Sequence, residues 1–260
     1  MFRNAALMVT VASLGALILT QPAAAQTRAT AAPACTLAGA QLDQPLTRTR
    51  SRLTERGTLR IVAIGSSSTE GAGASSDSAT YPSRLEALLK ARFPGVAITV
   101  LNRGVGGEEE GDMLARFDRD VIAEKPDLVL WQVASNAIMR DRTLPAQQAL
   151  LRDGIARLRQ TGADTVLIDP QYTTAVLAHP VAEPMVDLIA AEARRHRVGN
   201  FRRFDLMKGW RHKHDIPFER FSIADGLHMN DWGYDCFARN LAAAIVSSAL
   251  PAMALAARDD

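Results

Sequence analysis

Only two cysteines, Cys35 and Cys236, occur in 260 residues, and no Cys-x-x-Cys pair is present. The zinc-site spacings built on such pairs are therefore missing. There is no Gly-x4-Gly-Lys-Ser/Thr loop, and the Gly104 to Gly107 turn lacks the full dinucleotide fingerprint, so the common phosphate-cradling motifs are absent too. No serine sits in a Gly-x-Ser-x-Gly elbow, which argues against the α/β-hydrolase family. Charge of one sign is lacking as well: 30 basic face 28 acidic residues, a net charge of +2. That balance predicts no nucleic acid or other polyanion as partner. The one local excess, Arg28, Arg48, Arg50, Arg52, Arg56 and Arg60 against Asp43 and Glu55, reads as a solvated leader.

At the N-terminus stand Arg3, an almost wholly apolar run from Ala5 to Leu19, and Ala23-Ala24-Ala25 ahead of Gln26. This is the layout of a signal peptide over 1–25, predicting an exported protein, periplasmic or secreted. The apolar run falls short of the roughly 20 residues a bilayer span needs, so no stable membrane insertion is expected after cleavage. Residues 26–57 read as a poorly ordered leader, Ala-, Thr- and Pro-rich to about Pro45. Residues 58–250 form one domain and 251–260 a C-terminal tail. In an exported chain the two cysteines either form a Cys35–Cys236 disulfide, pinning the leader to a late helix, or stay as two thiols. Both readings stand at this point. Oligomeric state is not legible.

From Leu59 the pattern alternates. Leu59 to Ile64 is a short β-branched apolar run ending at Gly65, a buried strand. Tyr81 to Phe93 has helical spacing stopped by Pro94-Gly95. Strands are expected at Val96 to Leu101, Asp127 to Val133, Thr165 to Ile168 and Phe201 to Phe204. Helices are expected at Asp112 to Ala123, Ala146 to Gln160, Met185 to His196 and Asp231 to about Leu250. Alternating strands and helices joined by short turns predict a parallel sheet covered on both faces. Ligands of such sheets sit at the carboxyl ends of the strands.

Four polar or glycine clusters fall at those ends: Gly65-Ser66-Ser67-Ser68-Thr69-Glu70-Gly71, Asn102-Arg103-Gly104-Val105-Gly106-Gly107-Glu108, Gln132-Val133-Ala134-Ser135-Asn136, and Asp225-Gly226-Leu227-His228-Met229-Asn230. Singly, each is ordinary turn and cap chemistry. Together and in this order they resemble the SGNH (GDSL-type) hydrolases, named for Ser, Gly, Asn and His in four blocks, over roughly Leu59 to Leu250. The resemblance implies a flavodoxin-like three-layer α/β/α sandwich with a mostly five-stranded parallel sheet. It places the nucleophile on Ser67, with Ser66 and Ser68 as register alternatives. The block-two glycine falls on Gly107, with Gly106 as its alternative, the asparagine on Asn136, and the last block on Asp225 and His228.

The residue chemistry agrees. A serine hydroxyl needs a base to take its proton as it attacks. His228 serves if its other ring nitrogen is held, and Asp225, three residues earlier in a tight turn, can hold it. Backbone N–H groups of Ser67 and Gly107 and the Asn136 amide would form the oxyanion hole. Two departures stand out: the family's Asp before the serine is Ser66, and its Gly-x-Asn-Asp is Ala134-Ser135-Asn136-Ala137.

The expected activity is exported serine esterase, cleaving short-chain acyl esters, O-acetyl groups on carbohydrate first among them, without metal or cofactor. The competing readings are an O-acyltransferase and a catalytically weakened carbohydrate-binding module on the same fold. The substrate is then a small-molecule or glycan ester. Glu108, Gln171 and Tyr172 are candidates to line its pocket. Against this, Glu108-Glu109-Glu110 also reads as an acidic first helical turn, and Gln171 and Tyr172 as ordinary loop packing. His212 and His214 alternate with cations and lack a third ligand, so they read as a basic surface loop.

Overall fold

A computed structural model of the chain describes residues 1–2, 35 and 42–250. The expected signal peptide (but for Met1 and Phe2), most of 26–41 and the tail 251–260 lie outside the described residues. Helix α1 (Thr47–Thr54) is followed by strand β1 (Thr58–Gly65), helix α2 (Ser67–Glu70), helix α3 (Tyr81–Arg92) and strand β2 (Ala97–Gly104). Helix α4 (Glu110–Ala115), strand β3 (Leu128–Gln132), helices α5 (Ser135–Met139) and α6 (Leu144–Arg159) and strand β4 (Asp164–Ile168) come next. Helices α7 (Thr174–Leu177) and α8 (Ala182–His196), strand β5 (Gly199–Phe201), and helices α9 (Arg203–Lys213), α10 (Phe218–Phe221) and α11 (Asp231–Ala249) complete the domain.

The five strands form one parallel sheet in the order β2-β1-β3-β4-β5. This is the flavodoxin-like order, which reverses between β1 and β3. Right-handed crossovers then send the helices after β1 and after β2 to opposite faces. Accordingly α3 packs with α11, while α6 packs with α4 and α8, giving the expected three layers. The central strand β3 is buried at every position, as are Leu59 and Ile61 to Gly65 of β1. Their side chains meet helices on both faces, which is why these runs carry no polar alternation.

Four expectations differ from the structure. The 26–57 leader contains α1, which buries Leu53 and Thr49 and follows the buried Leu46. The Asp164 carboxylate accepts the Arg48 and Thr49 N–H groups (3.3 and 2.8 Å) and the Thr49 hydroxyl (2.8 Å). Arg48 and Arg52 both reach Asp127 at 2.9 Å, so part of the arginine excess is paired. The helix expected over Asp112 to Ala123 is shorter and starts earlier: Asp112 accepts the Glu109 N–H (3.0 Å), and after α4 a wider turn covers Asp118–Ile122. The last strand ends at Phe201, because Asp169 Oδ1 captures the Phe204 N–H (2.8 Å) and α9 begins at Arg203. His212 therefore lies on that helix, with His214 just past its end.

Cys35 and Cys236 form a disulfide, with Cα atoms 5.2 Å apart. Toward the other end of α11, the Leu42 N–H donates to the Ser248 hydroxyl (3.3 Å) and the Leu46 N–H to the Ser248 carbonyl (3.2 Å). Among the described residues no helix is long and apolar enough to cross a membrane.

Candidate active site

Ser67 opens α2 directly after β1. The turn that delivers it is crowded. A methyl at Gly65 would overlap Thr69 Oγ1 and lie 2.7 Å from Gln132 Oε1, and one at Gly104 would overlap the Glu70 backbone. Glycine is needed at both positions to bring β1, β2 and α2 together. Ser66 and Ser68 are buried on either side of Ser67, and the Ser67 hydroxyl is the one that meets His228, Oγ to Nε2 at 2.8 Å.

His228 is held from its far side by Asp225, Nδ1 to Oδ2 at 2.6 Å. Asp225 Oδ1 accepts the N–H groups of Leu227 (2.8 Å) and His228 (3.0 Å). Burial pushes the Asp225 carboxyl up, but the His228 ring and these two amides outweigh it and hold the group below the usual carboxylate range. The loop has its own supports. Gly226 sits at φ +67° with no room for a side chain beside Thr174, its carbonyl accepts the Ala175 N–H (2.9 Å), and the His228 carbonyl accepts the Ile223 N–H (2.9 Å).

Gly107 lies at φ +79°, facing open space. Gly106 packs closer to Ser67, its would-be Cβ 3.9 Å from Ser67 Cβ and 2.8 Å from Glu70 Oε2. Asn136 Nδ2 donates to the Glu108 carbonyl (2.8 Å), tying the third block to the second. The Ser67 N–H belongs to the first turn of α2, where helix geometry leaves amides without an intrahelical acceptor.

The three pocket candidates are each engaged by protein partners, in line with the packing alternative for each. The Glu108 carboxylate is gripped by Arg116 (Nε to Oε2 2.8 Å). Gln171 is buried: its Oε1 accepts from Ser135 Oγ and Arg203 Nη2 (both 2.9 Å), and its Nε2 donates to the Leu227 carbonyl (3.2 Å). It therefore braces the histidine loop from below and offers no side chain to a ligand. Tyr172 is packed edge-on against Phe204 and stacked on Phe218, and its hydroxyl meets His212 Nε2 at 2.8 Å. That pairing occupies one of the two histidines with a metal-like look. Among the described residues no three His, Cys, Asp or Glu side chains gather as a metal site.

Beneath the site runs a buried polar chain that sequence reasoning missed. Gln132 Oε1 accepts from Ser66, and its Nε2 donates to Ser135 Oγ (3.1 Å). Ser135 leads on to Gln171, and fully buried Arg203 closes the chain on Gln171 and on the Asp169 carbonyl (2.9 Å). Burial pulls Arg203 down to about 10 and pushes Asp169 up to about 7. The available signal was a glutamine ending an otherwise apolar strand and an arginine just beyond the last one.

A flavodoxin-like α/β/α domain thus carries a Ser–His–Asp array at the carboxyl edge of its sheet, beside a glycine and an asparagine from neighbouring loops. The Non-GDSL lipase-like family matches residues 30–251, and the chain belongs to that family. An acetylxylan esterase of Geobacillus stearothermophilus is 29% identical over 136 residues, 48% of this chain and 62% of that protein. The alignment thus spans less than two thirds of the relative. The crystal structure of an acetylxylan esterase from Geobacillus stearothermophilus superposes with a TM-score of 0.62 at 20% identity, covering 74% of this chain and 94% of the other. A two-domain esterase active on acetylated mannans, co-crystallised with mannopentaose, gives 0.65 at 19% identity, covering 81% and 55%. These superpositions speak for a shared fold.

Proposed function

We propose that the protein is an exported serine esterase of SGNH type that removes short acyl groups, O-acetyl groups on carbohydrate foremost, through an acyl-serine intermediate. The observation that carries this reading is the continuous Ser67–His228–Asp225 hydrogen-bond chain. As Ser67 Oγ attacks the ester carbonyl, its proton passes to His228 Nε2, and Asp225 stabilises the resulting imidazolium through Nδ1–H. The carbonyl oxygen takes up negative charge and is met by the Ser67 and Gly107 N–H groups and the Asn136 amide. Collapse expels the sugar oxygen, which takes the proton from His228. A water then attacks the acyl-serine, again giving its proton to His228, and as the adduct collapses that proton passes to Ser67 Oγ, releasing acetic acid and restoring Ser67 and neutral His228.

The acetyl preference draws on the two relatives that act on acetylated xylan or mannan. Export draws on the N-terminal pattern of Arg3, Ala5 to Leu19 and Ala23-Ala24-Ala25, and on the Cys35–Cys236 bridge, since such bonds persist in oxidising compartments. The test is acetate release from acetylated xylo- and manno-oligosaccharides and turnover of p-nitrophenyl acetate against laurate, beside Ser67→Ala and His228→Ala. Losses on the order of 10⁴-fold in both variants with a retained fold are expected. Equal rates in all three proteins would defeat the reading, and acetylated product on an added sugar acceptor would turn it toward a transferase. N-terminal sequencing of the secreted protein tests cleavage before Gln26.

A further inference from the structure

Three consecutive glutamates follow Gly107, and each carboxylate goes a different way. Glu108 pairs with Arg116, whose Nη2 also reaches the Arg103 carbonyl at the end of β2 (2.8 Å). Glu109 receives Arg140 (2.8 Å) and Arg142 (2.8 and 3.0 Å) from just beyond α5, and Arg140 Nη2 donates in addition to the Gly107 carbonyl (3.0 Å). Glu110 turns inward, 1% exposed, and its Oε1 accepts the Ala134 N–H. With the Asn136 bond to the Glu108 carbonyl, residues 107–110 and 134–142 are tied from both sides of the asparagine.

The asparagine loop needs such help. Ala134 sits at φ +67°, a left-handed conformation that an L-residue with a Cβ rarely adopts unless something holds it there. The residue after the asparagine is Ala137, with no polar group to stiffen the turn. Burial pushes the Glu110 carboxyl above the usual carboxylate range, but its Oε1 can accept the Ala134 N–H in either protonation state, and that bond opposes the strain at Ala134.

We propose that Glu110 is a positioning residue for the oxyanion hole: by holding the Ala134 amide it fixes the left-handed turn that starts α5 and so aims the Asn136 amide, while Glu109 clamps the same loop from outside through Arg140 and Arg142. The proposal deepens the esterase reading and rests on it. Glu110 touches neither substrate nor Ser67. Its contribution passes through Asn136, so it is felt when charge builds on the carbonyl oxygen and not when substrate binds.

The test is p-nitrophenyl acetate kinetics per active serine, titrated with diethyl p-nitrophenyl phosphate, in wild type, Glu110→Ala and Glu110→Gln. In Glu110→Ala, kcat per titrated site should fall about 10- to 100-fold with KM within about twofold, and the rate of serine phosphorylation should fall in step. Glu110→Gln keeps an acceptor oxygen at the same place and should recover most of that loss. A merely structural glutamate would lower Tm and the yield of titratable sites but leave kcat per site unchanged, which would overturn the proposal. So would a Glu110→Gln variant as slow as Glu110→Ala. If Glu110→Ala does not fold, Glu110→Asp, which retracts the carboxylate by one methylene, should still lower kcat with KM held, and unchanged kcat there counts against the clamp. A wild type with no turnover and no serine phosphorylation would instead defeat the esterase reading.

Discussion

Gln132 Oε1 accepts both the backbone N–H and the side-chain hydroxyl of Ser66, at 2.8 and 3.1 Å, with Thr69 Oγ1 a third donor at 3.3 Å. One amide oxygen at the end of β3 thus gathers the loop that presents Ser67. Replacing Gln132 by Leu leaves the buried Ser66 N–H without an acceptor, at a cost of about 1–3 kcal/mol. It also frees the turn that carries Ser67. Urea unfolding should show that loss, and kcat for p-nitrophenyl acetate should fall about tenfold or more, with the serine still titratable.

Asp225 gives a sharper chemical prediction. Its carboxyl stays ionised well below neutral pH, because hydrogen bonds from His228 and Leu227 outweigh its burial. Its contribution to stability is therefore present above the unfolded value of about 3.9 and lost only as pH falls through the lower folded one. Asp225→Asn keeps the shape but no longer fixes the proton on His228 Nδ1 or stabilises the imidazolium. A loss of about 10²- to 10⁴-fold in kcat is expected at pH 7, with little change in Tm.

Much of the site was legible because a parallel sheet sends its loops to one edge, so order along the chain translates into proximity. Leu59 to Ile64 and Asp127 to Val133 are found as strands within a residue or so at each end, since only complete burial explains such unbroken apolar runs. The misses share a different cause. Helix α1 has few apolar residues and exists through Asp164 and Asp127, partners more than 70 residues away. Phe201 to Phe204 reads as a strand until Asp169 takes the Phe204 amide. Glu108, Glu109 and Glu110 are the same letter three times, and only the packing of α4 decides which one turns inward. Likewise a buried Gln171 and an exposed one look identical until their partners are placed.

Asp169 makes stability depend on pH in the opposite sense to Asp225. Burial pushes its carboxyl up to about 7, against the Phe204 N–H and Arg203, and its Oδ2 meets no hydrogen-bond partner among the described residues. Between about pH 4 and this value the folded protein binds the proton that the unfolded chain has released. Stability therefore falls as pH rises through that window and levels off above it. The slope from this group is at most about 1.4 kcal/mol per pH unit. Asp169→Asn should flatten the curve in urea titrations run from pH 4 to 8, relative to wild type.

Gly104 pairs with Gly65 across the β1–β2 ladder, and any Cβ there meets backbone atoms of Thr69 and Glu70, which cannot rotate away. Gly104→Ala should destabilise the domain by about 1–3 kcal/mol and push α2 off its place. Thermal unfolding measures the first effect. A drop in kcat together with slower serine phosphorylation measures the second.

The disulfide joins residue 35 to residue 236, 201 positions on, so nearly every element of the domain lies within one covalent ring. Cutting the backbone once, at any exposed turn between them, opens that ring without releasing a fragment. The two pieces remain one molecule until the bond is reduced, and the enclosed sheet can close again on partners that never diffuse away. Against a protease, a nick would be a wound and not a severance.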